Sequence, residues 1–338
     1  MAPEGHTQEL LVRQATLEAE GVLGLELVSP SGKDLPEWDP GAHIELVLPS
    51  GLIRQYSLCG DPQERGSYRI AVLREREGRG GSEEIHTTPL VGMVLRVRGP
   101  RNRFPLVEAG HYVFIAGGIG ITPVLAMLRE LRARDIRAGF SLLYGGRSLN
   151  SMAFRDELRH LCGDLVSFVP QDVMGLPDIE AALAGMPSDT VVYCCGPEGL
   201  LRAVEDACDL LLPDSTLHVE RFTPPARPSQ GAEDAALAEK NAVGENAAEE
   251  NAFEVELRRT GTTVEVPPCK SILQAVREAG VSVPSSCEQG HCGTCETAVL
   301  AGTPLHRDTL LTDEEREASE TMMICVGRSR SEKLVLDL

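Results

Sequence analysis

A set of four cysteines near the end of the chain constrains the fold more than any other sequence feature. Three of them follow the spacing C-x4-C-x2-C, and the fourth stands further along the chain. This is the plant-type arrangement of thiolate ligands around a 2Fe-2S cluster. Gly290 and Gly293 lie between the ligands, where a loop wrapped around a cluster needs positive φ values. The predicted ligands are Cys287, Cys292, Cys295 and Cys325.

A zinc site and a disulfide pair are the alternatives for these cysteines. Structural zinc ligands usually come as two closely spaced pairs, whereas Cys325 has no near partner. His291 in the loop is not assigned as a ligand, because a Rieske centre needs two histidines and four cysteines are already placed. The other cysteines show no framework spacing, and we expect them to be reduced. They are Cys59, Cys162, Cys194, Cys195, Cys208 and Cys269.

Length and charge limit the remaining possibilities. A chain of 338 residues can form two or three domains. Its net charge of −19 argues against nucleic acid and membrane surfaces as partners. The apolar runs are too short to span a membrane, and Met1 to His6 lack signal-peptide features, so we expect a cytoplasmic protein. The acidic surface either only keeps the protein soluble or also docks on a basic patch of an electron acceptor.

Residues 1–107 alternate short apolar runs with turn residues. Breaks such as Pro49-Ser50-Gly51 fit hairpin loops between strands. The pattern predicts an antiparallel β-barrel of about six strands. The runs are Gly24–Val28, Ala42–Leu48, Tyr68–Leu73 and Val94–Val97.

Two segments of this region are suited to a flat ligand that carries phosphate. Alternation along a strand puts Arg54 and Tyr56 on one face, the first suited to phosphate and the second to a ring. The loop Gly78–Ser82 precedes a predicted short helix and is suited to cradle a phosphate. Taken singly, the first segment also fits a half-buried strand with a surface arginine, and the second fits a flexible turn.

Residues 108–223 change to an α/β order. A buried strand, Tyr112–Ala116, leads into the glycine-rich turn Gly117–Pro123 and then a helix, although the spacing is not G-x-G-x-x-G. A second strand, Thr190–Cys194, leads into the turn Cys195–Pro197. Glycine turns at the carboxyl ends of two strands predict a crevice for a dinucleotide. Cys195 also fits a small core thiol.

The end of the chain divides into a linker and a small domain. Residues 224–251 are rich in Ala, Glu and Asn, which predicts an acidic flexible linker. In residues 252–338, Phe253–Leu257 and Thr263–Val266 read as a hairpin. A helix follows, with Ser271 as N-cap and Gly280 after its end. This order, with the cysteine loop, predicts a C-terminal β-grasp 2Fe-2S ferredoxin domain.

Together the motifs resemble the phthalate dioxygenase reductase family, a branch of the ferredoxin–NADP reductase superfamily. The resemblance implies an FMN-binding β-barrel with the signature Arg54, Tyr56 and Ser57. Tyr56 would pack on the isoalloxazine ring and Ser57 would lie near N5. The phosphate loop would be Gly80, Gly81 and Ser82, and the strand from Ile70 to Val72 would run beside the ring.

The same resemblance implies an NAD-binding α/β domain. Its two motifs would bind pyrophosphate and nicotinamide and border the path of the hydride; they comprise Gly117, Gly118, Gly120, Thr122, Pro123, Cys195, Gly196 and Pro197. Arg147 and Ser148 would lie at the adenosine end, where an arginine could bind a 2′-phosphate or stack on adenine. We expect NADH, which the family prefers. Phe222 would cover the flavin where nicotinamide enters, or else is an ordinary edge phenylalanine.

The order of domains implies the function. The resemblance implies a reductase that passes electrons from NADH to FMN, to the 2Fe-2S cluster and on to the oxygenase of a multicomponent aromatic-ring or O-demethylating Rieske system. A haem-thiolate monooxygenase acting on aromatic acids is the alternative acceptor. A binding module without turnover is a further alternative, but intact Arg54, Ser57, Gly120 and Thr122 argue against it.

Overall fold

The computed structural model describes residues 7–76, 78–133, 139–212, 215–222, 251–285, 288, 290, 293–308 and 310–338. The chain forms two compact units, Met1–Thr223 and Pro224–Leu338. The predicted linker lies outside the described residues except for Asn251. The boundaries predicted at 107 and 251 stay predictions.

The first unit begins with a six-stranded antiparallel sheet in the order β4-β3-β6-β1-β2-β5. A bridge between Leu58 and Ile70 joins the two edge strands, and Cys59 N donates to Arg69 O at 2.8 Å. The sheet therefore curls into the predicted barrel around an apolar core. Its elements are β1 Thr7–Ala19, β2 Val22–Val28, β3 Ala42–Val47, β4 Ile53–Ser57, β5 Tyr68–Leu73, α1 Gly81–Thr87 and β6 Val94–Asn102.

A five-stranded parallel sheet follows in the order β11-β10-β7-β8-β9. Its central strand, β7, is almost wholly buried, as the continuous apolar run predicted. The strands are β7 His111–Gly117, β8 Gly139–Gly146, β9 Val166–Pro170, β10 Thr190–Cys195 and β11 Thr216–Glu220. The helices are α2 Ile121–Ala133, α3 Arg155–Cys162, α4 Gln171–Met174, α5 Ile179–Leu183 and α6 Glu198–Leu211.

Apolar packing continues from the barrel into the nucleotide-binding half of this unit. Cys59 and Ala71 belong to a buried cluster that also contains Leu125 and Leu128 of α2. Ala126 of the same helix belongs to the barrel core. The helix α2 is therefore buried against both halves, which fixes the carboxyl edge of the parallel sheet beside the barrel.

The second unit has the β-grasp order that the sequence predicted. Its main sheet runs β13-β12-β18-β14-β16, with β12 and β18 parallel, and β15 pairs with β17. Ser271 accepts a hydrogen bond from Gln274 N and caps α7, and Gly280 follows the helix at φ 82°. The elements are β12 Phe253–Leu257, β13 Thr262–Val266, α7 Ile272–Glu278, β14 Glu296–Ala301, β15 Pro304–Leu305, α8 Asp313–Ala318, β16 Thr321–Met323, β17 Arg328–Ser329 and β18 Lys333–Leu336.

Candidate cofactor-binding sites

The strand β4 and the glycine loop before α1 come together in the fold. Arg54 donates to the carbonyl oxygens of Ile53 and Arg79. A Cβ atom at Gly81 would lie 2.5 Å from Arg54 Nε, so the guanidinium side chain rests directly on the glycine. Ser82 Oγ accepts from Glu75 N at 3.0 Å and closes the loop from the other side. The arginine and the loop backbone thus form one cationic cradle of the kind that binds phosphate.

Tyr56 and Ser57 occupy opposite faces of β4. Tyr56 stands opposite Ile44 and packs half-buried against the barrel core, where burial raises the pKa of its phenol. Ser57 is buried and stands opposite His43. Burial lowers the pKa of His43 to about 4, so this histidine is neutral at physiological pH. Arg54 and Tyr56 share a face, as alternation predicted.

Apart from the Leu58–Ile70 bridge, the edge strands β4 and β5 are not joined by a ladder in the described part of the chain, which leaves a gap in the barrel wall. Ile70 and Val72 are 0% and 1% exposed, because their side chains fill the barrel core. A ligand beside β5 would therefore meet main-chain atoms rather than these two side chains.

The two glycine turns of the nucleotide-binding half pack face to face. A Cβ at Gly120 would lie 2.2 Å from Cys195 O, and one at Gly117 would lie 2.6 Å from Pro197 Cδ. A Cβ at Gly196 would in turn lie 3.0 Å from Gly117 Cα. The sequence predicted these two turns separately, at the ends of β7 and β10. In the structure they pack against each other, and this contact is possible because the glycines at it have no side chains.

The first turn is shaped by hydrogen bonds to its own carbonyl groups. Thr122 is buried and donates from Oγ1 to Ile119 O at 3.0 Å, while Pro123 is buried beside it in the first turn of α2. Tyr144 donates from its hydroxyl to Gly118 O at 3.1 Å. The turn Gly118–Gly120 lies beside β5, the barrel strand next to the gap. Nicotinamide bound at this turn and a ring bound in the gap would therefore be neighbours.

Glu220 is a site residue that sequence reasoning missed. It stands opposite Cys195 on the neighbouring strand, and the Cys195 thiol contacts Glu220 Oε2 at 3.9 Å. Burial raises the pKa of Glu220 to about 8 and raises the pKa of the Cys195 thiol further above its usual range. The carboxyl group of Glu220 therefore holds its proton more strongly than an ordinary glutamate does. The sequence carried no clear signal for Glu220, because β11 also contains the polar residues Thr216 and His218.

The residues predicted at the edges of the nucleotide site are more exposed. Arg147 follows β8, is exposed, and accepts a hydrogen bond from Asp172 N at 3.0 Å through its carbonyl oxygen. Ser148 caps the short 3-10 turn Leu149–Ser151. Phe222 is 37% exposed just after β11, so its ring is available to a ligand.

The iron–sulfur site is described in part. Cys295 and Cys325 are 2% and 7% exposed and belong to one buried cluster, whereas Cys287 and Cys292 lie outside the described residues. A Cβ at Gly290 would lie 2.6 Å from Val326 Cγ2, so the neighbour of Cys325 packs on the ligand loop. The fold thus brings the distant Cys325 into one buried cluster with Cys295 and places its neighbour Val326 against Gly290 of the loop.

Gly290 and Gly293 have the positive φ values, 78° and 74°, that the loop was predicted to need. Glu288 has φ 54°, and its carboxylate accepts from Arg277 Nη1 and from Ser285 Oγ, each at 2.8 Å. Arg277 belongs to the last turn of α7 and also donates to Ser285 Oγ. This brace, formed by Arg277, Ser285 and Glu288, anchors the ligand loop to a helix.

Two family models match the chain, one in each of its two compact units. An oxidoreductase NAD-binding domain matches residues 114–206, and a 2Fe-2S iron-sulfur cluster binding domain matches residues 255–329. The chain is 44% identical to the phenoxybenzoate dioxygenase subunit beta of Ectopseudomonas oleovorans, covering 95% of this chain and 94% of the relative. It is 39% identical to a Pseudomonas vanillate O-demethylase oxidoreductase, covering 98% of this chain and 99% of the relative.

Solved structures also match nearly the whole chain. Phthalate dioxygenase reductase, described as a modular structure for electron transfer from pyridine nucleotides to [2Fe-2S], matches with TM-score 0.70 and 38% identity over 98% of both chains. An intact type IV self-sufficient cytochrome P450 monooxygenase matches with TM-score 0.81 and 42% identity over 98% of this chain and 41% of that one. Among the described residues, no helix is long and apolar enough to cross a membrane.

Proposed function

The chain belongs to the phthalate dioxygenase reductase family, and we propose that its electron acceptor is a Rieske-type oxygenase that attacks an aromatic ring or removes an O-methyl group. The chain is the reductase component of such an oxygenase system and an NADH-dependent oxidoreductase. FMN and the 2Fe-2S cluster, when bound, would supply the conversion of a two-electron hydride donor into a source of single electrons.

The contact between the two glycine turns supports the NADH-binding part of this function. Pyrophosphate would sit at the first turn, where Gly117 and Gly120 let the two turns pack closely and the N-terminus of α2 favours an anion. Thr122 holds that turn in shape through its bond to Ile119 O. Because β5 lies beside this turn, nicotinamide bound there would face the ring in the gap. Close approach in a fixed orientation supplies much of the rate of such a transfer.

The flavin site follows from the barrel. Arg54 with Gly80, Gly81 and Ser82 would hold the FMN phosphate, and Tyr56 would support the ring face. Ser57, together with Cys195, Gly196 and Pro197, would border the hydride path, and Phe222 would cover the ring until nicotinamide displaces it. Arg147 would lie at the adenosine end. The ligands of the cluster would be Cys287, Cys292, Cys295 and Cys325.

A haem-thiolate monooxygenase acting on aromatic acids is the second candidate acceptor. The likeness to a self-sufficient cytochrome P450 supports it, although this chain spans about two fifths of that protein. The relatives named for dioxygenase and O-demethylase systems match along nearly their whole length, which favours the Rieske-type acceptor.

Domain bounds and location complete the proposal. We assign residues 1–107 to the flavin barrel, 108–223 to the nucleotide domain, 224–251 to the linker and 252–338 to the ferredoxin domain. A cytoplasmic location fits the cysteines outside the predicted cluster, because none of those described is in a disulfide.

Anaerobic titration with NADH tests the proposed function. We expect the flavin absorbance and the broader cluster absorbance to bleach together. The variant Cys292→Ser should abolish cytochrome c reduction while NADH-dependent ferricyanide reduction continues. An unchanged flavin spectrum in the wild-type holoprotein would contradict the proposal, and equal loss of both activities in the variant would contradict the order of the electron path.

A further inference from the structure

We propose that four charged side chains on the flavin and nucleotide halves of Met1–Thr223 orient these halves for hydride transfer, in addition to stabilising the fold. We call them the seam cluster: Glu18, Arg69, Arg129 and Glu157. The inference rests on the proposed function, because it concerns the geometry of transfer from NADH to the flavin.

Arg69 of β5 is the centre of the seam cluster. Its Nη2 donates to Glu18 Oε1 on β1 at 3.0 Å, and its Nη1 donates to Glu157 Oε2 on α3 at 3.0 Å. Arg129 of α2 donates to the other oxygen of Glu157. Consecutive ion pairs therefore run from two barrel strands to two helices of the nucleotide half.

Arg69 also fixes the beginning of α3. Its guanidinium lies over the ring of Phe154, 4.9 Å from the centroid. Phe154 precedes α3 with φ 62°, a conformation that a bulky residue holds only where its surroundings impose it. The same guanidinium thus contacts the residue that starts the helix and a carboxylate within the helix.

The seam cluster is sheltered enough for these contacts to matter in salt. Its side chains are 29% exposed at Arg69, 12% at Glu18, 27% at Glu157 and 17% at Arg129. Partly buried pairs are screened less than exposed ones, and a network holds its members better than an isolated pair does. The apolar packing between the halves resists their separation, but it does not fix their relative orientation, because the hydrophobic effect is not directional. Hydrogen-bonded ion pairs have a preferred geometry and can therefore fix that orientation.

The position of the seam cluster connects it to the reaction. Arg69 precedes Ile70, which forms the bridge at the end of the gap where the flavin would lie. Arg129 is on α2, whose first turn contains Thr122 beside the nucleotide turn. The cluster thus links the strand at the flavin to the helix at the nicotinamide. Since a misplacement of about 1 Å can lower a rate roughly 100-fold, a small loss of alignment here would be measurable.

Stopped-flow reduction of the FMN-loaded protein by NADH tests the seam cluster. We expect Arg69→Met to lower the flavin reduction rate at saturating NADH by about 10-fold to 100-fold, with a smaller change in the NADH concentration for half-maximal rate. Glu157→Gln should act in the same direction, and Arg69→Lys should recover part of the rate. FMN content should not change.

Arg65→Met is the control. Arg65 pairs with the exposed Glu37 at 2.9 Å, and both residues lie in loops of the barrel half. The substitution removes the same kind of group from that half without breaking an ion pair of the seam cluster. We expect its reduction rate to stay within about 2-fold of wild type, as for an ordinary exposed pair.

A second readout does not depend on turnover. The long-wavelength charge-transfer absorbance of dithionite-reduced protein with NAD⁺ reports ring overlap, and we expect Arg69→Met to weaken it. A lower melting temperature with an unchanged saturating rate and unchanged absorbance would overturn the proposal, as would loss of FMN. Failure of the proposed function would appear separately, as wild-type flavin that NADH does not reduce.

Discussion

At Gly120, a single hydrogen atom allows the two nucleotide-binding turns to meet. A methyl group there would overlap Cys195 O at 2.2 Å, and a backbone carbonyl cannot move aside as a flexible side chain can. Overpacking of this kind costs about 1–3 kcal/mol. We expect Gly120→Ala to raise the NADH concentration for half-maximal flavin reduction roughly 10-fold or more, since the turn must open.

Gly199→Ala is the control for that substitution. Gly199 lies in the first turn of α6, and a Cβ built there meets nothing within 4 Å. The control should bind NADH normally and should be as stable as wild type or slightly more so. Normal NADH dependence in Gly120→Ala would mean that the turns tolerate separation and that their contact does not shape the site.

Glu220 gives the protein a predictable response to pH. Its folded pKa of about 8 lies above the unfolded value near 4.5, so the folded state holds an extra proton between these values. The contribution of Glu220 to stability therefore falls as pH rises from about 4.5 to about 8, by up to about 1.4 kcal/mol per pH unit. Glu220→Gln removes the ionisation and keeps the size.

Melting temperatures of wild type and Glu220→Gln, both loaded with FMN, measure this effect. The melting temperature of the variant should rise relative to that of the wild type between pH 6 and pH 8.5, because only the wild type ionises a carboxyl group at this position. A constant difference across that range would show that Glu220 is already ionised at the lower pH.

At the scale of elements, the brace joins α7 to the cluster loop. Arg277 reaches from the last turn of the helix to Glu288, a loop residue at positive φ. Without the guanidinium, Glu288 loses the hydrogen bond from Arg277 that helps to hold it at positive φ. We expect Arg277→Met to speed cluster loss, measured as the decay of visible absorbance in air, by about 3-fold to 10-fold, which corresponds to about 0.7–1.4 kcal/mol, the net value of one typical hydrogen bond.

Lys270→Met is the matched control, because Lys270 pairs with Glu278 at the same helix and does not contact the loop in the described structure. Flavin reduction by NADH should be unchanged in both variants. A cluster equally durable in both would mean that the loop keeps its shape without the brace.

Elements with a strong burial pattern were predictable, and those without one were not. The strand β7 has a continuous apolar run and was recognised from sequence, as was α7 from its cap Ser271. The edge strands β9 and β11 were not singled out, because each is only partly buried and lacks such a run. The glycine motifs predicted which residues would bind nucleotide, and that stays a prediction. Sequence could not show that two turns far apart in the chain pack on each other, because that contact depends on the register of β7 and β10.

At the scale of the whole molecule, the net charge should affect electron transfer to a protein acceptor more than electron transfer from NADH to the flavin. The net charge is −19, and charged surfaces attract oppositely charged partners over about one Debye length, ~10 Å at 0.1 M salt and ~3 Å at 1 M. We expect NADH-dependent reduction of cationic cytochrome c to fall at least about 10-fold between these salt concentrations.

Flavin reduction by NADH under the same conditions is the internal control, and it should change by less than about 3-fold, because transfer occurs within the bound complex. If cytochrome c reduction were equally insensitive to salt, the acidic surface would have no part in docking an electron acceptor.

The edge strands β4 and β5 have one further consequence, which concerns how the protein can be altered. Ile70 and Val72 point into the barrel, so the side of β5 that faces the gap is made of peptide groups that every amino acid except proline shares. Such an edge can accumulate substitutions over generations with little effect on its hydrogen-bonding groups. An engineer who wishes to accommodate a different ring there would gain little from point substitutions on β5 and would need an insertion or deletion that shifts the strand.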